Sequence, residues 1–239
     1  MNIDFHGQVV VVTGGTRGIG KQTADEFAAL GADVIVTGTK LERDGSGHRY
    51  FAVDFTESAS LDRFLIDLEH TGRIDVLVNN AGINRLNPVD EVLMEDWEAI
   101  RAVNLDGPLR VTRTVSGIMK QHRYGRIVNI ASIFGVISKS KRVLYSMSKF
   151  GLRGLTVGSA IDLAAYGILV NTVSPGFVLT ELTRSILLET EMQQLASQVP
   201  LGRFAEPAEI AKVILFLASR HNTYLTGQNI VVDGGFVDV

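Results

Sequence analysis

Residues 9–20 read Val9-Val10-Val11-Val12-Thr13-Gly14-Gly15-Thr16-Arg17-Gly18-Ile19-Gly20, and this stretch decides the fold. Four consecutive β-branched residues favour an extended chain, and because all four are apolar the strand suits burial on both faces. Glycines at 14, 18 and 20 then interrupt it. A helical pattern follows from about Gly18 to Leu30 and stops at Gly31. Strand, glycine turn and helix in that order make up half of a βαβ unit.

The same rhythm recurs outward from this point. Further strands are predicted at 33–37, 49–53, 74–78, 127–131, 168–173 and 229–232. Helices are predicted over 57–70, 94–122, 145–166, 180–198 and 207–218, with Leu61, Phe64, Leu65 and Leu68 on one face of the first. Gly107-Pro108 falls inside the long 94–122 pattern, and Pro207 suits a first helical position. The strands are short apolar runs, not polar/apolar alternations, so the sheet is expected to be parallel and covered on both faces. This is the α/β doubly wound arrangement, a Rossmann fold in a single domain spanning 1–239. One join departs from it. Only about 11 residues, including Gly38, Gly45 and Gly47, connect strands 2 and 3. That is too short for a helical crossover, so a loop is expected.

Composition narrows the function. Of the 239 residues, 46% are apolar and 21% charged, which excludes a disordered chain and a membrane bundle. With no cysteine there is no disulfide, thiolate nucleophile or Cys-ligated metal. A net charge of -3 gives no reason to expect nucleic acid or an anionic membrane as partner. His6, His48, His70, His122 and His221 are scattered without metal-ligand spacing, so no metal site is expected. Residues 1–8 carry an acid, no basic patch and no long apolar run, so a cytoplasmic protein is expected.

The glycine turn has a physical use. Gly14 permits a tight turn, Gly18 lets the backbone approach a pyrophosphate, and Gly20 lets helix and strand pack closely. The helix N-terminus adds free N–H groups and positive potential. A dinucleotide cofactor is therefore expected. An acid at the end of the second strand would select a free ribose 2′-hydroxyl, but this chain has Thr37-Gly38-Thr39-Lys40. Arg17 and Lys40, with Thr37 and Thr39 as donors, favour NADP(H), with NAD(H) possible. Asp54 follows the third strand, where its carboxylate suits either the adenine amino group or the cap of the next helix.

Tyr145 and Lys149 are four apart and share a helix face. An ammonium near a phenol is expected to lower the phenol's pKa, so that the tyrosine can pass a proton to or from a carbonyl oxygen. Ser132 ends the fifth strand, at the ligand-binding edge of such a sheet. Pro108 lacks the N–H that would bond the Asn104 carbonyl four residues back, leaving that acceptor open.

Thr13-Gly14-x-x-x-Gly18-Ile19-Gly20, Asn79-Asn80-Ala81-Gly82, Asn104, Ser132, Tyr145-x-x-x-Lys149 and Pro175-Gly176, in this order, resemble the short-chain dehydrogenase/reductase family over essentially the whole chain. Within it, the chain looks most like the 3-oxoacyl-carrier-protein reductases. The resemblance implies a seven-stranded sheet in the order 3-2-1-4-5-6-7. It also implies a catalytic group of Asn104, Ser132, Tyr145 and Lys149, with Tyr145 as general acid. Gly14, Thr16, Arg17, Gly18, Ile19, Gly20, Thr37, Thr39, Lys40, Asp54, Asn80, Ala81 and Gly82 would hold the cofactor. So would Tyr145, Lys149, Pro175, Gly176, Val178 and Thr180, with hydride leaving from the pro-S side.

The implied reaction is NADPH-dependent reduction of a carbonyl, foremost a 3-oxoacyl thioester, small or carrier-protein-bound. A sugar, nucleotide sugar or other secondary alcohol is the alternative, and a non-catalytic dinucleotide-binding protein a further one. Relatives also imply a substrate lid at 180–198 and a homotetramer. Lys139, Lys141 and Arg142 suggest an anionic substrate, and His122, Arg123 and Arg126 a docking patch for an acidic carrier.

Overall fold

The computed structural model describes residues 3–41, 47–186 and 188–238, with the backbone alone at 182, 185 and 186. Seven strands form one parallel sheet in the order β3-β2-β1-β4-β5-β6-β7. They are β1 (Val9–Val12), β2 (Asp33–Gly38), β3 (Arg49–Ala52), β4 (Val76–Asn79), β5 (Gly125–Ile130), β6 (Ile168–Pro175) and β7 (Asn229–Val232). The helices are α1 (Gly18–Ala29), α2 (Ser58–His70), α3 (Met94–Arg101), α4 (Gly107–His122), α5 (Val143–Leu163), α6 (Glu181–Ile186), α7 (Glu189–Ala196) and α8 (Pro207–Ala218).

The all-apolar strands have a direct structural reason. Val11 of β1 points into a core with Leu61, Phe64 and Leu68 of α2 and Val111 and Val115 of α4. Its neighbours Val10 and Val12 point the other way, into a core with Phe27 of α1 and Ile210 and Ile214 of α8. Successive side chains of a strand leave on opposite faces, so two helical layers require two apolar faces. Fully burying such a side chain contributes about 1.5–3 kcal/mol.

The expected 94–122 helix is interrupted. After α3, residues Ala102–Asp106 form a turn of π-helix, in which the Gly107 N–H bonds the Ala102 carbonyl five residues back. Pro108 follows as one of the first residues of α4. A residue without an N–H cannot continue the i−4 ladder, and the widened turn absorbs that break. The link after β2 shows no helix at 39–41 or 47–48, and its centre, with Gly45, lies outside the described residues. Tyr50 pins the link by donating to the Lys40 carbonyl at 2.5 Å.

Candidate active site

The carboxyl ends of β1, β4, β5 and β6 sit side by side, since Val12 pairs with Val78, Asn79 with Asn129 and Ile130 with Val173. Ser132 follows the end of β5, and Lys149 reaches the same edge through its bond to the Ile130 carbonyl. The glycine turn begins here. Gly14 has φ +64°, and a Cβ there would stand 2.9 Å from the Ala81 Cα. At Gly20 a Cβ would lie 2.3 Å from the Gly14 carbonyl oxygen and 2.4 Å from Asn80 Nδ2. Only hydrogen at these positions lets the first turn, the helix start and the end of β4 nest together.

Asn80 serves this nest as a brace. Its Nδ2 donates to the carbonyls of Thr13 and Gly14, both at 3.0 Å. Thr13 returns the contact, its hydroxyl accepting from the N–H groups of Asn80 and Ala81 at 3.0 and 3.1 Å. Gly18 differs. Its φ is +55°, and a Cβ there would meet only the Thr180 side chain, whose methyl would lie 3.3 Å away. The first turn of α1 carries no acid, and the Arg17 side chain makes no cap bond. Beside Gly18 opens a cleft of about 220 Å³ lined by Lys21, Thr180 and Arg184 and also by the acids Asp25 and Glu181. An anion-friendly helix start beside an open space fits the pyrophosphate of a dinucleotide.

Several predicted cofactor residues have their groups engaged. Thr37 is buried, and its hydroxyl accepts from the Gly14 N–H at 3.0 Å, so it supports the turn from within. Thr16 presses on Gly38, where a Cβ would meet the Thr16 methyl at 2.6 Å. Arg17, Thr39 and Lys40 are exposed around this end, and Ile19 is partly buried against the α1–α8 core. Asp54 is exposed, and its Oδ1 accepts from the Thr56 N–H at 2.9 Å and hydroxyl at 2.6 Å. That closes a turn three residues ahead of the α2 cap at Glu57, so the carboxylate does not cap the helix itself.

Ser132 ends the segment after β5, and its Oγ accepts from the Phe134 N–H at 3.1 Å. Tyr145 and Lys149 come from α5. Lys149 is buried, with Nζ donating to the Ile130 carbonyl at 2.8 Å and lying 5.5 Å from the Tyr145 ring centroid. Burial lowers its pKa from 10.5 to about 8. The tyrosine does not follow the sequence expectation. Burial pushes the Tyr145 phenol up, while the facing Ser132 hydroxyl and the Arg142 guanidinium draw it partly back. Arg142 thus supplies a charge that draws the phenol down, while the Lys149 ammonium is directed at the Ile130 carbonyl.

Asn104 is fully buried inside the π turn. Its Oδ1 accepts from the Ile83 N–H at 2.9 Å, while Nδ2 donates to the Ile83 carbonyl at 2.9 Å and to Ser148 Oγ at 3.0 Å. Ser148 Oγ donates to the Tyr145 carbonyl at 2.7 Å. A Cβ on Gly82 would lie 3.5 Å from both Asn104 Oδ1 and Lys149 Nζ. Asn104, Gly82 and Lys149 therefore meet at one point below Tyr145. Sequence reasoning missed Ser148, although its place one residue before the lysine was a usable signal. It also missed Gly135, where a Cβ would strike the Lys149 carbonyl oxygen at 2.9 Å.

On the far side, Pro175 pairs with Val232, and Gly176 closes against Asp233, whose Cβ would lie 2.7 Å from an added side chain. Phe177 stacks on Phe204 at 5.2 Å and meets Phe236 edge-on at 5.1 Å. The Val178 carbonyl accepts from Thr180 N–H and from the Thr183 hydroxyl. The Thr180 hydroxyl faces that of Thr183 at 3.0 Å and accepts the Thr183 N–H, so it anchors the start of α6. The expected docking patch is corrected at Arg126. It is buried, donating to the carbonyls of Gly125, Gly167 and Asn222, and cannot meet a partner. Among the described residues no acid/histidine cluster suits a metal, and no helix is long and apolar enough to cross a membrane.

A parallel sheet with a glycine cradle at its carboxyl edge, and a Ser–Tyr–Lys group beside it, defines a dinucleotide-dependent oxidoreductase. Residues 14–237 match the family described as enoyl-(acyl carrier protein) reductase. A 3-oxoacyl-[acyl-carrier-protein] reductase of Aquifex aeolicus is 40% identical over 98% of this chain and 99% of its own length. The Escherichia coli protein of that name is 36% identical over 98% of each. A putative NAD(P)-dependent gluconate 5-dehydrogenase from Beutenbergia cavernae, solved with bound NADP, is 31% identical, with a TM-score of 0.94 over 100% of both chains. A gluconate 5-dehydrogenase from Burkholderia cenocepacia, in complex with NADP and tartrate, is 31% identical, with a TM-score of 0.92 over 100% of this chain and 98% of its own. The chain belongs to the short-chain dehydrogenase/reductase family.

Proposed function

We propose that this protein reduces the 3-carbonyl of a 3-oxoacyl thioester, carried on an acyl carrier protein, with NADPH. The observation that carries the reading is the convergence of Ser132, Tyr145 and Lys149 beside the Gly14–Gly20 cradle. NADPH supplies the hydride. Ser132 Oγ and Tyr145 Oη hold the carbonyl oxygen, and Tyr145 gives its proton to that oxygen as charge develops. Burial keeps the phenol protonated until then, which suits an acid. Lys149 stands beneath, close to Asn104 and Gly82, as the group that returns a proton to the tyrosine. Two hydroxyls aimed at one oxygen favour a carbonyl over the carbon–carbon double bond named in the family description.

The cradle residues Gly14, Thr16, Arg17, Gly18, Ile19 and Gly20 hold the pyrophosphate on this reading, with Thr37 acting through Gly14. Arg17, Thr39 and Lys40 face the 2′-phosphate, and Asp54, Asn80, Ala81 and Gly82 the adenosine. Pro175, Gly176, Val178 and Thr180 wall the nicotinamide. Residues 180–198, of which 187 lies outside the described residues, form the substrate lid on this reading, supported by the contact of Thr180 with Gly18 and the exposure of Leu188. A homotetramer is supported by Leu109, Met147, Phe150, Val157 and Ile161, exposed apolar residues on α4 and α5, and by the open space above Gly154 and Gly158. The setting is the cytoplasm.

The gluconate dehydrogenase neighbours favour a second reading, in which the same group acts on a secondary alcohol of a sugar acid. The test is turnover of NADPH and NADH with acetoacetyl thioester, then with keto-sugar acids and nucleotide sugars. Faster turnover of the thioester with NADPH is expected. Tyr145→Phe should bind NADPH normally and lose at least about a hundredfold in reduction, the scale of general acid catalysis. Full activity in that variant would overturn the assignment.

A further inference from the structure

Arg142 stands three residues before Tyr145, at the N-cap of α5. Its guanidinium lies 5.1 Å from the centroid of the Phe134 ring. Phe134 in turn meets the Tyr145 ring edge-on, with centroids 6.5 Å apart, and its N–H is held by Ser132. Cation, ring and phenol therefore form one stack, tied to the third member of the catalytic group. The influence is mutual: the guanidinium draws the phenol's pKa down, while Tyr145 partly offsets the lowering that burial imposes on the guanidinium.

Among the described residues no carboxylate lies within ion-pair distance of Arg142. Half-burying a cation without a counter-charge costs free energy that neither the Phe134 face nor water fully returns. Structural arginines of this chain are treated differently. Arg126 donates to three carbonyls, with its Nε left without a partner, and Arg203 pairs with Glu209. Arg142 instead lines a groove of about 620 Å³ with Ser138, Lys139, Lys141 and Ser146, where Asp90 is the acid on the facing segment. A cation without a carboxylate partner among the described residues, lining a groove and packed on the ring that meets Tyr145, is equipped to bind a ligand.

We propose that Arg142 is a specificity-determining residue that binds a second oxygen acceptor of the substrate, next to the carbonyl held by Ser132 and Tyr145. This rests on the reductase reading above. In a 3-oxoacyl substrate the second acceptor is the oxygen at C1, separated from the reacting C3 by the C2 carbon alone. It is the thioester carbonyl in the carrier-bound form and a carboxylate in the free acid. The planar guanidinium fork suits both, whereas a lysine ammonium is a point charge that suits the carboxylate better.

The test compares wild type, Arg142→Gln and Arg142→Lys on acetoacetyl thioester, acetoacetate and cyclohexanone, which has no second acceptor. A charge-assisted hydrogen bond predicts that Arg142→Gln loses about 10- to 100-fold more kcat/KM on the 3-oxo substrates than on cyclohexanone. Arg142→Lys should recover acetoacetate more than the thioester. Proportionate losses on all three, or none, would overturn the proposal, since the residue would then act only through Tyr145 or the fold. If the wild type turns over no 3-oxo substrate, the reductase reading fails by itself. Calorimetric titration of acetoacetate into the NADP complex then decides Arg142 separately: tighter binding by wild type than by Arg142→Gln supports the role, and equal or absent binding ends it.

Discussion

Replacing Lys149 by methionine should make the protein more stable and inactive. Lys149 is only 4% exposed, and its ammonium has one hydrogen bond, to the Ile130 carbonyl at 2.8 Å. The drop of its pKa from 10.5 to about 8 means that burying the charged form costs about 3 kcal/mol at pH 7. Methionine fills a similar volume without charge but leaves the Ile130 carbonyl unpaired, at about 1–2 kcal/mol. The net expectation is a gain of about 1–2 kcal/mol, or roughly 2–8 °C in Tm for a chain of this size.

The pH profile separates this cause from ordinary repacking. A cation with a depressed folded pKa binds its proton less tightly in the native state than in the unfolded one. The wild-type penalty is therefore full below pH 8 and fades as pH rises toward 10.5, while the variant shows no such recovery. Urea or thermal unfolding at about pH 7, 8, 9.5 and 10.5 reads the difference, with NADPH turnover as the control for function. A variant less stable than wild type at pH 7, or a gap that does not narrow with pH, would refute the reasoning.

Two further substitutions probe the supports of the site. Asn104→Ala strips hydrogen bonds from the Ile83 N–H, the Ile83 carbonyl and Ser148. It should cost about 2–4 kcal/mol and lower the Tm by about 5–15 °C, and a melting curve unchanged within about 2 °C would contradict it. Gly20→Ala places a Cβ against the Gly14 carbonyl and Asn80. NADPH affinity should fall at least about tenfold by fluorescence titration with helix content retained, and undiminished affinity would show that the cradle yields freely.

The layers of the fold were legible because the cause was local. Val10, Val11 and Val12 had to be apolar in succession if helices covered both faces, while the strand order came from the family resemblance. The glycine turn was equally readable, since each glycine answers a nearby contact. The details that escaped depend on partners distant in sequence. Pro108 announced a broken ladder, but not that the turn would widen and bury the Asn104 side chain against Ile83. Thr37 reads as a surface donor until the Gly14 N–H claims its hydroxyl. The pKa of Tyr145 could not be read from its spacing to Lys149, because it depends on burial and on the direction in which the ammonium points. Arg126 looked like a docking residue because nothing in its neighbourhood of sequence reveals the carbonyls of Gly167 and Asn222.

The packing of Gly176 and Phe177 against Asp233 and Phe236 has a consequence for biosynthesis. Ser132, Tyr145 and Lys149 leave the ribosome long before residues 230–238, yet the wall beyond β6 closes only when that late segment docks. A nascent chain arrested near residue 225 would carry Ser132, Tyr145 and Lys149 with one side unroofed. Completion of the pocket is thereby coupled to synthesis of the 230–238 segment, and release before it yields a product that is architecturally open.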